Sequence, residues 1–96
     1  MKLNNTSLEK IEQIYKDLSY TVRYEKGNFN SGYCIVEDKK IVVLNKFFNA
    51  EGRANILLDI LSMIDVSEEM LSDKSKTFFS QILKSQEYQL KASPSH

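Results

Sequence analysis

The fold of this chain is decided by residues 49–64, which read NAEGRANILLDILSMI. Asn49 is a good N-cap for a helix, and Glu51 follows in the first turn, where the helix dipole favours an acid. The apolar residues that follow cover well over half of a helical wheel and leave a narrow polar face of Asn55, Asp59 and Ser62. We therefore predict a helix over Ala50–Ile64 that forms the centre of the core, between a sheet and other helices.

A first strand is predicted ahead of this helix, where the apolar period falls from about 3.6 to about 2 residues. Tyr20, Val22 and Tyr24 alternate with Thr21, Arg23 and Glu25. Such alternation is typical of a strand with one buried face and one solvated face.

The next two strands form a predicted antiparallel hairpin. They span Tyr33–Glu37 and Lys40–Lys46, and Asp38 and Lys39 make the turn between them. The run Ile41–Leu44 is apolar without alternation, which indicates a strand that is covered on both faces or lies centrally in the sheet.

A first helix is predicted over Ser7–Leu18, before the strands. Thr6 or Ser7 can act as its N-cap, and Glu9 stands three residues after Thr6 in the spacing of a capping box. Apolar residues then recur at helical intervals.

Two further helical segments are predicted after the central helix. One begins at Ser67, where Val66 and Leu71 have the spacing of a hydrophobic staple. The other spans Lys74–Leu83, and its predicted buried face comprises Phe78, Phe79, Ile82 and Leu83. The chain is thus predicted to be one α+β domain with an αβββα core, a three-stranded and largely antiparallel sheet, and one or two C-terminal helices. We expect an ordered core over residues 6–86 and a flexible tail over residues 87–96.

Composition limits the classes of partner. The chain has 96 residues, 42% of them hydrophobic, with 13 basic and 13 acidic side chains and a formal net charge of zero. Because no long-range field attracts phosphates, we do not expect a nucleic-acid or membrane partner. Residues 1–13 contain no apolar run that could serve as a signal peptide, and the single cysteine fits a reducing compartment, so we expect a cytoplasmic protein.

The sequence lacks the residues that most catalytic mechanisms require. The single histidine is His96, so a zinc site of the His-Glu-x-x-His type and a nucleophile-base pair both lack their imidazole. The glycines at positions 27 and 32 do not have the spacing of a phosphate-binding loop. We therefore expect no metal and no cofactor, and we favour a non-enzymatic protein.

Arg53 is the strongest candidate for a site. On a helical wheel it projects into the apolar arc, so its guanidinium must reach past the helix start or meet a carboxylate or ligand. One interpretation is an ion pair with Glu25 or Glu37 across the sheet. The other is an anion-binding group at a groove beside the central helix, with Glu25, Glu37 and Asp59 as neighbours.

Four other residues bear on binding. Cys34 lies within a strand, where a free cysteine behaves as a small buried hydrophobe, so we expect slow modification by thiol reagents. Phe29, Phe47 and Phe48 could form an exposed apolar patch for a partner or a second subunit. In the alternative, Phe47 caps the sheet and Phe48 packs under the last helix.

Residues 20–61 resemble a family of small uncharacterised bacterial proteins seen among Bacteroidetes. The resemblance rests on the segments RYEKG at 23–27, GYC at 32–34 and VVLNK at 42–46, and it implies no activity. More distantly, the order of elements is similar to a minimal zincin-type metallopeptidase core. The predicted helix lacks the zinc motif of that core, so the resemblance implies a related fold without its zinc or peptidase activity.

We therefore expect a cytoplasmic interaction or binding domain, with a homodimer through a sheet edge or the Phe47–Phe48 region as one form of it. The alternative is a small anionic-ligand protein, or an unusual enzyme, that uses Arg53 with nearby carboxylates.

Overall fold

Three α-helices and three strands make up the described part of the chain, which covers residues 2–26 and 33–85 of a computed structural model. Their order and bounds are α1 Asn5–Asp17, β1 Thr21–Glu25, β2 Tyr33–Val36, β3 Ile41–Asn45, α2 Ala50–Leu61 and α3 Asp73–Lys84. Short 3-10 turns occupy Glu37–Lys39 and Glu68–Met70. The predicted α+β class is confirmed, and the predicted tail at 87–96 lies outside the described residues. None of the described helices is long and apolar enough to cross a membrane.

The sheet has the strand order β1-β3-β2. β2 and β3 run antiparallel, with Tyr33 opposite Leu44, which confirms the predicted hairpin and the central place of the third strand. β1 runs parallel to β3, with Thr21 opposite Ile41. The sheet is therefore mixed, where we expected a largely antiparallel one, because the first strand joins the far edge of β3 instead of pairing with its successor.

Only one face of the sheet lies against the main hydrophobic core of the described residues. Val42 and Leu44 of β3 are fully buried, whereas Ile41 and Val43 point to the other face and are half-buried. Neighbouring side chains on the core face are Val22, Tyr24, Tyr33 and Ile35. The unbroken apolar run at 41–44 thus reflects the central position of β3 and not equal burial of both its faces.

α1 begins two residues earlier than predicted. Asn4 is its N-cap, and the Asn4 side chain accepts the Ser7 amide at 3.0 Å. The Ser7 hydroxyl donates to the Lys2 carbonyl instead of capping the helix. The predicted caps at Thr6 or Ser7 are therefore wrong, because an asparagine just upstream accepts the first-turn amide.

α1 ends in a Schellman motif built on a serine. The Tyr20 amide donates to the Tyr15 carbonyl at 2.8 Å, and the Ser19 amide donates to the Lys16 carbonyl at 2.9 Å. Ser19 lies in the left-handed region with φ 68°, the position that glycine usually occupies in this motif. The rings of Tyr15 and Tyr20 meet edge to face at 6.0 Å, which is the apolar contact that accompanies the motif.

α1 packs against elements on several sides. It contacts α2, α3 and β1. Tyr15 of α1 is fully buried, and its hydroxyl donates to the Leu57 carbonyl of α2. Five residues of α2 are also buried, in line with the prediction that this helix lies in the core.

α2 begins at the predicted N-cap but ends early. The Asn49 side chain accepts the Gly52 amide at 2.8 Å, as expected. At the other end the Ser62 hydroxyl donates to the Asp59 carbonyl at 2.6 Å, so this serine satisfies a carbonyl that further helix would have used. Met63, predicted as part of the apolar face, lies beyond the helix and is 53% exposed.

α3 buries three of its four predicted apolar residues. Phe78, Phe79 and Ile82 are buried, whereas Leu83 is 42% exposed. Before α3, Val66 packs against the core and Leu71 is buried. Leu83 follows Ile82 by one residue, about 100° around the helix, which turns it away from the core.

An aspartate at the end of α1 holds the start of α3. The Asp17 carboxylate accepts the Ser72 amide at 3.0 Å and the Gln13 side-chain amide at 2.8 Å. Ser72 is also the N-cap of α3. The hydrogen bond from the Ser72 backbone, with those from Ser75 and Gln13, lowers the pKa of Asp17 from 3.8 to about 2.

We predict that Asp17→Asn destabilises the fold by about 1 kcal/mol at neutral pH, because a charged acceptor becomes a neutral one. A lowered pKa in the folded state means that the ionised carboxylate stabilises the protein above about pH 4 and loses this effect as the pH falls through about 2. Urea unfolding of both proteins between pH 7 and pH 2 measures the difference. Asp65→Asn, at an exposed carboxylate, is the control. If the difference in free energy of unfolding between the wild type and Asp17→Asn stayed the same down to the lowest pH, the role assigned to Asp17 would be contradicted.

Candidate functional site

The side chain of Arg53, in the first turn of α2, is bound to the chain that connects β3 to α2. Its Nε donates to the Phe48 carbonyl at 2.9 Å, and its Nη2 donates to the Lys46 carbonyl at 2.7 Å. Two carbonyls two residues apart therefore share one guanidinium, whose planar fork can serve both at once. These hydrogen bonds fix the turn that leads from the sheet into α2.

Tyr24 of β1 completes this cluster. Its ring centroid lies 4.2 Å from Arg53 Cζ, and its hydroxyl donates to the Glu12 carboxylate of α1. Burial, reinforced by the hydrogen bond to Glu12 and by the charge of Glu12, raises the pKa of Tyr24 above its ordinary value, and Arg53 opposes this shift. Tyr24 thus stays protonated and serves as a hydrogen-bond donor, while the Arg53 guanidinium lies over its ring.

The predicted carboxylate neighbours of Arg53 do not form one cluster around it. Glu25 lies at the same end of the sheet as Arg53, since the Lys46 amide donates to the Glu25 carbonyl at 3.0 Å, but its carboxylate pairs with Arg23. The backbone of Glu37 follows Val36 at the opposite end of β3. Asp59 is six residues further along α2 and is half-exposed.

The two phenylalanines after β3 have different environments. Phe47 is 71% exposed, and the Lys46 ammonium lies 5.6 Å from its ring. Phe48 is half-buried against the first turn of α2, where a Cβ on Gly52 would come within 3.3 Å of its ring. The expectation of an exposed aromatic surface is thus met by Phe47 and only in part by Phe48, while Phe29 lies outside the described residues.

Open clefts occur away from Arg53. One of about 420 Å³ lies between α1 and α3, and Lys10 crosses it with its ammonium 5.4 Å from the Phe78 ring. A second, of about 520 Å³, lies between Tyr20, Lys40 and Met63. A third, of about 530 Å³, lies along α1 beside Val22. Neither Arg53 nor Glu25 lines any of these three clefts.

The expectation that Cys34 is buried is wrong. Its side chain is exposed. The reason is parity along β2: Tyr33 and Ile35 face the core, so Cys34 and Val36 face the opposite side. Val36 is 39% exposed.

These residues belong to an apolar patch on the face of the sheet away from the helices, which we call the outer face. Cys34 lies opposite Val43, and Val36 lies opposite Ile41, so four apolar side chains form two adjacent cross-strand pairs. None of the four belongs to the core cluster or packs against it. We call Cys34, Val36, Ile41 and Val43 the β2 patch.

Beside the β2 patch the outer face becomes polar. Thr21 and Arg23 lie opposite Ile41 and Val43 on the other side of β3, and Glu25 pairs with Arg23. The two edges of the sheet differ accordingly. β1 carries an ion pair along its length, whereas β2 reads Tyr-Cys-Ile-Val, without charge or proline.

Sequence reasoning missed this surface, although a signal was present. β2 is apolar at every position, so it lacks the polar alternation seen in β1. A short strand that is apolar on both faces either is covered twice or exposes apolar side chains. The expectation of a buried cysteine assumed that β2 is covered on both faces. The structure shows instead that β2 exposes apolar side chains on one face.

No family model, curated protein or solved structure matches this chain. The resemblance to small bacterial proteins and to a zincin-type core therefore stays a prediction. Within residues 2–26 and 33–85, no three side chains of the His, Cys, Asp or Glu type come together as a metal site would require.

We predict that Arg53→Lys lowers the free energy of unfolding by about 1 to 2 kcal/mol, because one ammonium cannot serve both carbonyls and also stack on Tyr24. Urea unfolding provides the measurement. Arg23→Lys, which alters an exposed ion pair, is the matched control and should cost less than about 0.5 kcal/mol. Equal effects of the two substitutions would contradict a structural role for Arg53.

We also predict that a thiol reagent modifies Cys34 nearly as fast in the native protein as in the urea-unfolded protein. The protein is kept at low micromolar concentration in both reactions. The exposure of Cys34 in β2 leaves the sulfur accessible without unfolding. A colorimetric disulfide reagent follows the reaction. Protection that disappears only on unfolding would show that Cys34 is covered.

Proposed function

We propose that this protein is an interaction domain that binds another polypeptide through β2, using the backbone of that edge strand together with the β2 patch. The observation that carries the proposal is that the strand at this edge has no charge and exposes apolar side chains. Edge strands of soluble proteins are usually protected by charges, proline or a covering element, since their unpaired backbone groups attract other strands.

The surroundings of the β2 patch resemble the layout of a protein interface. Interfaces combine an apolar centre with a polar rim. Here Val43 and Ile41 lie at the centre of the outer face, and Thr21 and the Arg23–Glu25 pair form a polar border on β1. An extended segment added beside β2 would gain main-chain hydrogen bonds from the edge and apolar contact with Cys34 and Val36.

The alternative of an anionic ligand at Arg53 has less support. An anion there would have to compete with the carbonyls of Lys46 and Phe48 and with the ring of Tyr24. Phe47 remains a second candidate surface, because it is the most exposed large apolar side chain of the described residues. A single exposed aromatic residue is, however, common on monomeric proteins.

The proposed setting is a reducing one such as the cytoplasm. An exposed, single thiol on a binding surface is kept reduced in such a compartment. This compartment remains a proposal that follows from Cys34 and its place in the β2 patch.

The proposal predicts a discrete crosslinked product from the β2 patch. We would place p-benzoylphenylalanine at position 36, irradiate cells that express the chain, and analyse the products by mass spectrometry. Because Val36 lies on the outer face of β2, the last strand at this side of the sheet among the described residues, a bound polypeptide should be captured there with a defined mass.

Positions 47 and 63 provide the matched controls, since Phe47 and Met63 are at least as exposed as Val36. Capture at 36 alone supports the β2 surface. Capture at 47 alone would transfer the function to the Phe47 region, and a total lack of products at 36 would overturn the proposal.

A further inference from the structure

We infer that the polypeptide bound at β2 is a second copy of this chain, and that the two copies join into one six-stranded sheet with the order β1-β3-β2-β2-β3-β1. This inference rests on the proposed function, because it names the partner of the same surface. It is carried by the contrast between the two edges of the sheet and by the position of the β2 patch.

The contrast between the edges selects β2. A strand that pairs with β1 would lie beside Arg23 and Glu25 and along the element that α1 contacts. Within the described residues, a strand that pairs with β2 lies beside Tyr33–Val36, and none of these four residues is charged. A second copy of β2 brings no charge to this edge, and the formal net charge of zero means that two copies do not repel each other at long range.

The β2 patch explains why a second copy fits better than an unrelated strand. A two-fold axis perpendicular to the sheet places two β2 strands antiparallel with their outer faces on the same side. The patch of one copy then continues directly into the patch of the other, so the four apolar side chains of one β2 patch become eight, of which Cys34 and Val36 of each copy are exposed. An unrelated strand would extend the sheet by one strand and leave the patch with a new open edge.

Side-chain parity restricts the register of this pairing. Residues directly opposite each other share a face, so outward Cys34 must lie opposite an outward residue of its partner. Two registers meet this condition with good overlap: Cys34 faces the partner's Cys34, or Cys34 faces the partner's Val36. The two cysteines are then either directly opposite, with Cβ atoms about 4.5–5.5 Å apart, or diagonal neighbours about 7–8 Å apart.

The size of the contact indicates a dissociable dimer. Stable complexes bury about 800 Å² on each partner. A pairing edge of four residues, together with the nearby side chains of the β2 patch, would bury less area than that on each copy. The dimer should therefore form with rising concentration, and Cys34 should become slower to react as it forms.

Sedimentation equilibrium of the purified chain from low micromolar to near millimolar concentration tests the inference. We expect a monomer–dimer equilibrium, and a short bismaleimide should then join the two cysteines into a product of twice 11.1 kDa. Cys34→Lys places like charges near the two-fold axis in either register and should raise the dissociation constant at least tenfold. Cys34→Ser should keep the dimer and lose only the crosslink.

Met63→Lys is the matched control, because it charges an exposed apolar side chain beyond the end of α2. Circular dichroism verifies that each variant is folded. A wild-type chain that stays monomeric near millimolar concentration, or equal weakening by Cys34→Lys and Met63→Lys, would overturn the inference. If position 36 still captures a different protein in cells, the proposed function stands while the second copy is excluded; if it captures nothing, both fail.

Discussion

The hydroxyl of Tyr15 donates a hydrogen bond to the Leu57 carbonyl inside the core, and the rest of the fold depends on that contact. A buried phenol without a partner would cost about 1 to 3 kcal/mol, so the position of α2 against α1 is set by a polar contact as well as by apolar packing. The Tyr15 carbonyl accepts the Tyr20 amide, and the two rings meet edge to face. Tyr15 thus fixes both the position of α2 against α1 and the point at which the chain enters β1.

Two further polar contacts extend from α1 to the rest of the domain. Asp17 holds the first turn of α3, and Glu12 accepts from Tyr24, over which Arg53 of α2 is stacked. The first contact joins residues 55 apart in the sequence, and the second joins α1 to the strand that follows it. The apolar core brings the helices to one side of the sheet, and these polar contacts then fix where each helix begins or ends.

Local patterns were enough to predict the elements but not their partners. The buried positions of β3 and α3 follow from periodicity, since Val42, Leu44, Phe78 and Ile82 repeat at the spacing of a strand and a helix. The start of α1 was missed because Asn4, Thr6 and Ser7 are all competent caps, and only the fold selects among them. The contacts of Arg53 could not be predicted, because backbone carbonyls occur at every residue and carry no sequence signature. The exposure of Cys34 depends on which face of β2 meets the helices, and that is a property of the whole sheet.

The central place of β3 has a consequence for the order in which the chain can fold during synthesis. β1 and β2 lie on opposite sides of β3 and do not pair with each other. A nascent chain that has emerged only as far as Lys40 therefore contains two strands of the sheet without the strand that joins them. Until Ile41–Asn45 leave the ribosome, β1 and β2 lack the strand that lies between them in the sheet. Among the described strands, β2 therefore has no neighbour on either side during that interval, and after β3 has docked it has a neighbour on one side.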